Sequence, residues 1–206
     1  MSIEYKLSPA YVEYPDALAA MEHRVEDMIA GRAPEMLWFL EHPPLYTSGT
    51  SAKPADLIDR RFPVYDTGRG GEWTYHGPGQ RVVYAMLDLK NREAMDVRCY
   101  VQNLEQWIIA TLGEFGIEGF TREGRIGVWV NENGSESKIA ALGIRVRKWI
   151  TYHGIALNLS PDLSHYAGIV PCGIQGYGVT SLKQMGVQAS LAQVDEVLKR
   201  EFKKIF

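Results

Sequence analysis

Cysteine is scarce, with 2 in 206 residues. Two cysteines cannot build a disulfide framework, and they fit no paired zinc-ligand spacing. No run approaches the roughly 18 apolar residues that span a bilayer, and the opening Met-Ser-Ile-Glu-Tyr-Lys lacks the layout of a secretory signal. Charge of one sign is missing too. Lys plus Arg number 22 against 25 Asp plus Glu, a net charge of −3, so the basic excess of a nucleic-acid binder is absent. There is no Gly-x-x-x-x-Gly-Lys-Ser/Thr loop, no Gly-x-Gly-x-x-Gly turn, no His-Glu-x-x-His and no Gly-x-Ser-x-Gly elbow. Ser135-Glu-Ser-Lys138 fits Ser-x-x-Lys but has neither companion motif of the penicillin-binding proteins. Phosphate-loop, dinucleotide, zinc-protease and serine-hydrolase chemistries drop out. The expectation is one domain over residues 1–206, cytoplasmic, with no metal, no nucleic acid and no membrane partner.

What is present is a globular composition, 46% hydrophobic and 23% charged. After Pro15, the spacing of Leu18, Met21, Val25 and Met28 predicts a helix stopped at Gly31. Met36 to Leu40 and Arg81 to Leu89 read as strands, with a loop-rich region between them. A second helix is expected over Val97 to Phe115, with the stripe Val101, Leu104, Ile108, Leu112 and Phe115. Cys99 lies off that stripe and reads as structurally incidental. Ile126 to Val130, Ile139 to Val146 and Ile150 to Leu159 are further strands, the last two joined by a turn near Arg147-Lys148. A closing helix opens on the capping-box pattern Ser190-Leu-Ala-Gln193. Helices and strands mix without strict βαβ alternation, which points to α+β, a mixed sheet flanked by helices.

Three segments carry chemistry. Gly68-Arg-Gly-Gly-Glu-Trp-Thr-Tyr-His-Gly-Pro-Gly-Gln80 holds 5 glycines in 13 residues, a density that signals unusual backbone angles or close approach to a ligand; the plainer reading is a surface loop with two turns. Lys138 begins Lys-Ile-Ala-Ala-Leu-Gly-Ile-Arg145, whose small side chains let a thin ligand lie against a sheet; the plainer reading is a solvated lysine at a strand edge. Cys172 sits between Pro171 and Gly173, in a turn rather than a core. A free thiol titrates near ~8.5, and a nearby ammonium favours its thiolate. Together Lys138 and Cys172 suit acyl transfer through a thioester. His76 and His153 share a Tyr-His-Gly setting and read as shaping a pocket before moving protons.

Taken together, Arg69-Gly-Gly-Glu-Trp-Thr-Tyr-His-Gly-Pro-Gly-Gln80, Lys138 to Arg145, Tyr152-His-Gly-Ile-Ala-Leu-Asn158 and Pro171-Cys-Gly-Ile174 resemble the lipoyl(octanoyl) transferase family. The resemblance covers about residues 30 to 182. It implies the fold of biotin- and lipoate-protein ligases and no cofactor. It also implies transfer of an octanoyl (or lipoyl) group from acyl carrier protein, with octanoyl-acyl carrier protein as donor, through a cysteine thioester, to a lysine of lipoyl domains. Those domains belong to 2-oxoacid dehydrogenase complexes and to glycine cleavage H protein. By that resemblance Cys172 and Lys138 are catalytic. The acyl-binding segments fall on Arg69, Gly70, Gly71, Glu72, Trp73, Thr74, Tyr75 and His76, on Ala141, Leu142 and Gly143, and on Gly154, Ile155 and Ala156. Two alternatives stand beside this: an ATP-dependent lipoate-protein ligase, which has no use for a cysteine nucleophile, and a module that docks carrier domains without catalysis.

Overall fold

The computed structural model describes residues 3–92, 95–170 and 177–206. In chain order the elements are β1 (Ile3–Leu7), α1 (Tyr14–Ile29), β2 (Glu35–Leu40), β3 (Leu45–Ser48), β4 (Val64–Asp66), β5 (Thr74–His76), β6 (Gln80–Met86), α2 (Val97–Gly113), β7 (Gly119–Arg122), β8 (Arg125–Glu132), β9 (Ser135–Arg147), β10 (Ile150–Asn158), β11 (Gly178–Val179) and α3 (Leu191–Ile205). The main sheet runs β1-β2-β6-β10-β9-β8-β7, with β11 added beside β9. β1 on β2 and β11 on β9 are parallel pairs, whereas the others are antiparallel, so the sheet is mixed as expected.

Burial on both faces explains the continuous apolar runs of the central strands. On one face, α1 lays Ala17, Met21 and Val25 against Trp38, Leu40, Val82 and Tyr152. On the other, α2 and α3 cover Leu37, Phe39, Val83, Ile155 and Leu157. The α1 side chains recur at four-residue steps and are at most 1% exposed. Fully burying a side chain of the size of Met21 or Val25 contributes about 1.5–3 kcal/mol. Pro15 occupies the first turn of α1, where a missing N–H does no harm. α3 begins on the capping box read from the sequence, with both Ser190 and Gln193 reciprocally bonded. Across the interior, Arg81 on β6 pairs with Asp195 on α3 at 2.8 Å, both side chains 4% exposed.

Three expectations change. The region between β2 and β6 is not simply loop. It holds β3, β4 and β5, which form a second sheet of order β4-β3-β5. The strand beginning near Arg81 ends at Met86, and Leu89 instead opens a 3₁₀ turn at Leu89–Asn91. α2 buries a wider face than the stripe implied: Tyr100 and Trp107 join Leu104, Ile108 and Leu112. Trp107 explains the widening, because its indole N–H reaches across to the Leu198 carbonyl of α3 at 2.7 Å. Cys99 is partly buried in the first turn of α2.

Candidate active site

β9 is longer than either neighbour and serves two partners. Ser135 to Ala140 pair with β8, and Ala140 to Arg147 pair with β10. A register shift between Val128 and Trp129 turns β8 away from the second half of β9, as a bulge does by bending its strand. The glycine-rich segment lies along the edge so exposed. Gly70 donates its N–H to the Ile144 carbonyl at 2.8 Å. Arg69, 7% exposed, pins this segment to the small sheet. Its guanidinium donates to the Thr47 carbonyl at 2.9 Å, the Thr47 hydroxyl at 2.8 Å, the Glu72 carbonyl at 3.0 Å and the Gly70 carbonyl at 3.0 Å.

Between sheet and segment is a cavity of about 350 Å³, at the small end of the ~300–1,000 Å³ range of small-molecule sites. Its floor follows from register. Ala141 lies opposite Ala156, and Gly143 opposite Gly154, so the two cross-strand pairs on either side of Leu142 and Ile155 present almost no side chain. That leaves a trough. Gly143 is needed there, since a Cβ would stand 2.7 Å from Arg69 Cδ.

Of the residues singled out from the sequence, Arg69, Gly70, Gly71, Glu72, Trp73, Thr74, His76, Lys138, Ala141, Leu142, Gly143, Gly154, Ile155 and Ala156 all line this cavity. Tyr75 does not. Strand alternation on β5 turns it to the far side, among Tyr46, Phe62 and Tyr166, with its hydroxyl 2.8 Å from His165 Nδ1. Cys172 lies outside the described residues. Val179 on β11 is in register with Lys138, and the Thr180 N–H donates to the Lys138 carbonyl at 3.0 Å.

Lys138 is not a solvated edge lysine. It is 6% exposed, and its Nζ donates to the Ile126 carbonyl at 2.8 Å. The Nζ also stands 5.7 Å from the centre of the Trp129 ring. Because β8 and β11 flank β9 at this position, a residue that reads as an edge is interior.

The far end of the cavity is aromatic. Tyr14 and Tyr84 line it together with His76 and His153. The His42 Nδ1 lies 2.6 Å from the Val12 carbonyl, which can only accept, so Nδ1 carries the hydrogen. Nε2 then accepts from the Tyr84 hydroxyl at 2.7 Å. His76 Nδ1 is 2.7 Å from Gln80 Oε1. Burial pushes the imidazoles of His42, His76 and His153 down to about 4, 3 and 3. At neutral pH all three are uncharged, and His76 and His153 are neutral walls of the cavity. Burial likewise lifts the phenols of Tyr14, to about 12, and of Tyr84, so both stay protonated.

Tyr14, Val82, Tyr84, Val101, Ile126 and Ile144 also line the cavity and were not anticipated as site residues. Tyr14 immediately precedes Pro15, and an aromatic at a helix start was the one signal available for it. Among the described residues no three His, Cys, Asp or Glu converge as metal ligands, and no helix is long and apolar enough to cross a membrane.

Comparison with known proteins adds the following. The lipoyl protein ligase A/B catalytic domain family matches residues 13–203. An octanoyltransferase of Paramagnetospirillum magneticum is 58% identical over 206 residues, covering 99% of this chain and 97% of the relative. Among solved structures, lipoate-protein ligase A bound with ATP superposes with a TM-score of 0.74 at 15% identity, covering 98% of this chain and 85% of that one. A bipartite lipoate protein ligase of Thermoplasma acidophilum, described with its E2 lipoyl domain, gives 0.71 at 16% identity, covering 99% and 84%. At such identities the two structures show the shared fold.

Proposed function

Since the chain belongs to the lipoyl protein ligase A/B catalytic domain family and, within it, to the octanoyltransferases, we propose the following route for octanoyl transfer. The donor is octanoyl-acyl carrier protein. The acceptor is a lysine of a lipoyl domain, in 2-oxoacid dehydrogenase complexes or glycine cleavage H protein. Residues 1–206 work as one catalytic unit, in the cytoplasm, without a cofactor.

The Cys172 thiolate attacks the thioester carbonyl of the donor. The new C–S bond forms as the bond to the carrier's sulfur breaks, and the departing thiolate takes a proton from the Lys138 ammonium. The neutral amine of the acceptor lysine then attacks the Cys172 thioester. Its surplus proton passes to the now neutral Lys138, the C–S bond to Cys172 breaks, and both groups return to their starting states. The donor is already an activated ester, so no adenylate is required.

The observation that carries this reading is the trough of paired Ala and Gly residues leading from a buried lysine. Such a trough accepts the straight alkyl part of an octanoyl (or lipoyl) chain. Burying the chain contributes roughly 0.8 kcal/mol per methylene before the costs of association. The Arg69 to Thr74 segment closes over it and excludes water from the thioester. Tyr75 supports that segment from behind rather than touching the chain.

The test is a choice of donors. Octanoyl-acyl carrier protein alone should octanoylate a lipoyl domain, whereas free octanoate with ATP should not. Modification from free octanoate and ATP, with none from the carrier thioester, would overturn the assignment in favour of a ligase.

A further inference from the structure

Glu105 lies on the buried face of α2, 9% exposed, on the same helix face as the core residues Leu104, Trp107 and Ile108. A carboxylate in such a place is costly unless hydrogen-bonded and opposed by a positive charge. Its Oε1 accepts the Gly127 N–H at 3.0 Å. Ile126 and Gly127 share one peptide unit, and the carbonyl of that same unit accepts the Lys138 Nζ at 2.8 Å. In a trans peptide these two groups point in opposite directions. One amide plane therefore stands between Glu105 on one side and Lys138 on the other.

Two further details fit this arrangement. Gly127 has φ +130°, and a Cβ there would stand 2.3 Å from Lys138 Cε and 2.9 Å from the Ala140 carbonyl. The backbone is thus bent to bring that peptide over the lysine, and glycine leaves the space the lysine fills. Burial raises the Glu105 carboxyl, while the Gly127 N–H and the Lys138 charge act against that rise. The cation felt by the carboxylate is the lysine. Hydrogen bonds in such a chain polarise one another, and a carboxylate on the N–H strengthens the carbonyl as an acceptor.

We infer that Glu105 is a positioning residue for the transfer reaction: by holding the Gly127 N–H, it orients the Ile126–Gly127 peptide whose carbonyl fixes the ammonium of Lys138. This rests on the reading of Lys138 as the proton carrier. Glu105 meets neither substrate nor the reacting atoms. It acts through the lysine, and its loss should appear in turnover rather than in donor binding.

The experiment measures octanoyl transfer to a lipoyl domain by wild type and by Glu105→Gln, Glu105→Met, Glu105→Asp, Lys138→Ala and the double variant Glu105→Met/Lys138→Ala. Glu105→Gln keeps an acceptor for the Gly127 N–H and should retain kcat within about threefold. Glu105→Met keeps volume but offers no acceptor, and should lose roughly ten- to a hundredfold in kcat with KM for the donor little changed. Glu105→Asp keeps the charge but withdraws it by one methylene, and should behave like Met; it decides the matter if the Met variant does not fold. In the Lys138→Ala background, Glu105→Met should cost nothing further, because the group it positions is gone. A folded Met or Asp variant within about twofold of wild-type kcat overturns the inference, as does an undiminished loss in the double variant. Lys138→Ala at wild-type rate would instead remove the proton-carrier reading beneath it, and the inference with it.

Discussion

Acidification should destabilise this protein through three neighbouring imidazoles. His42, His153 and His76 are 0%, 2% and 7% exposed, and burial pushes them down to about 4, 3 and 3. In the unfolded chain each titrates near ~6.5. Between that value and the folded ones, the unfolded state takes up a proton that the folded state refuses, so stability falls as pH falls. From about pH 7 to about pH 5, the linkage integral gives about 2 kcal/mol for one such histidine. All three together give about 5–6 kcal/mol, a large part of the ~5–15 kcal/mol that holds a typical domain. The carboxyls of Glu105 and Asp195, raised by burial, act in the opposite sense, so a single-site comparison isolates the effect. His42→Gln keeps a donor for the Val12 carbonyl and an acceptor for the Tyr84 hydroxyl while removing the titration. Urea unfolding followed by tryptophan fluorescence, at the two pH values, should show the variant losing about 2 kcal/mol less than wild type on acidification. Equal losses in both proteins would refute the account of these histidines as groups held neutral by burial.

Two other perturbations have definite outcomes. Gly143→Val places methyl groups in the trough against Arg69, which its hydrogen bonds hold in place. If the chain loses the room of two methylenes, octanoyl transfer should fall about tenfold while butanoyl transfer changes little, read from rates with the two carrier thioesters. Arg81→Met strands the buried Asp195 carboxylate and should cost about 3–5 kcal/mol in a urea titration, whereas adding Asp195→Leu should recover most of it.

Much of this architecture was legible from pattern. The capping box at Ser190 and Gln193, the three- and four-residue spacing of Leu18, Met21 and Val25 in α1 and the long apolar β10 all announce themselves locally, because propensity, patterning and burial agree there. β3, β4 and β5 did not. At three to four residues each they are too short for a period to emerge, and they exist through pairing with one another. Missing β5 also concealed that Tyr75 must face away from Thr74 and His76. The burial of Lys138 is hidden in the sequence for a similar reason. Ser135, Glu136 and Ser137 make its approach look polar and exposed, and only the strands gathered around β9 reveal the burial. Glu105 carried no sequence signal at all, being one charged residue in an amphipathic helix. Its meaning lies in a peptide 22 residues further on.

The most direct test of the central claim is the intact mass of the protein after mixing with octanoyl-acyl carrier protein, wild type beside Cys172→Ser. The account predicts an octanoyl adduct on the wild type that hydroxylamine removes and a lipoyl domain discharges, and no such thioester on the serine variant. A wild-type protein that transfers octanoyl to the lipoyl domain without ever carrying a hydroxylamine-labile adduct, or a serine variant that transfers equally well, would contradict it.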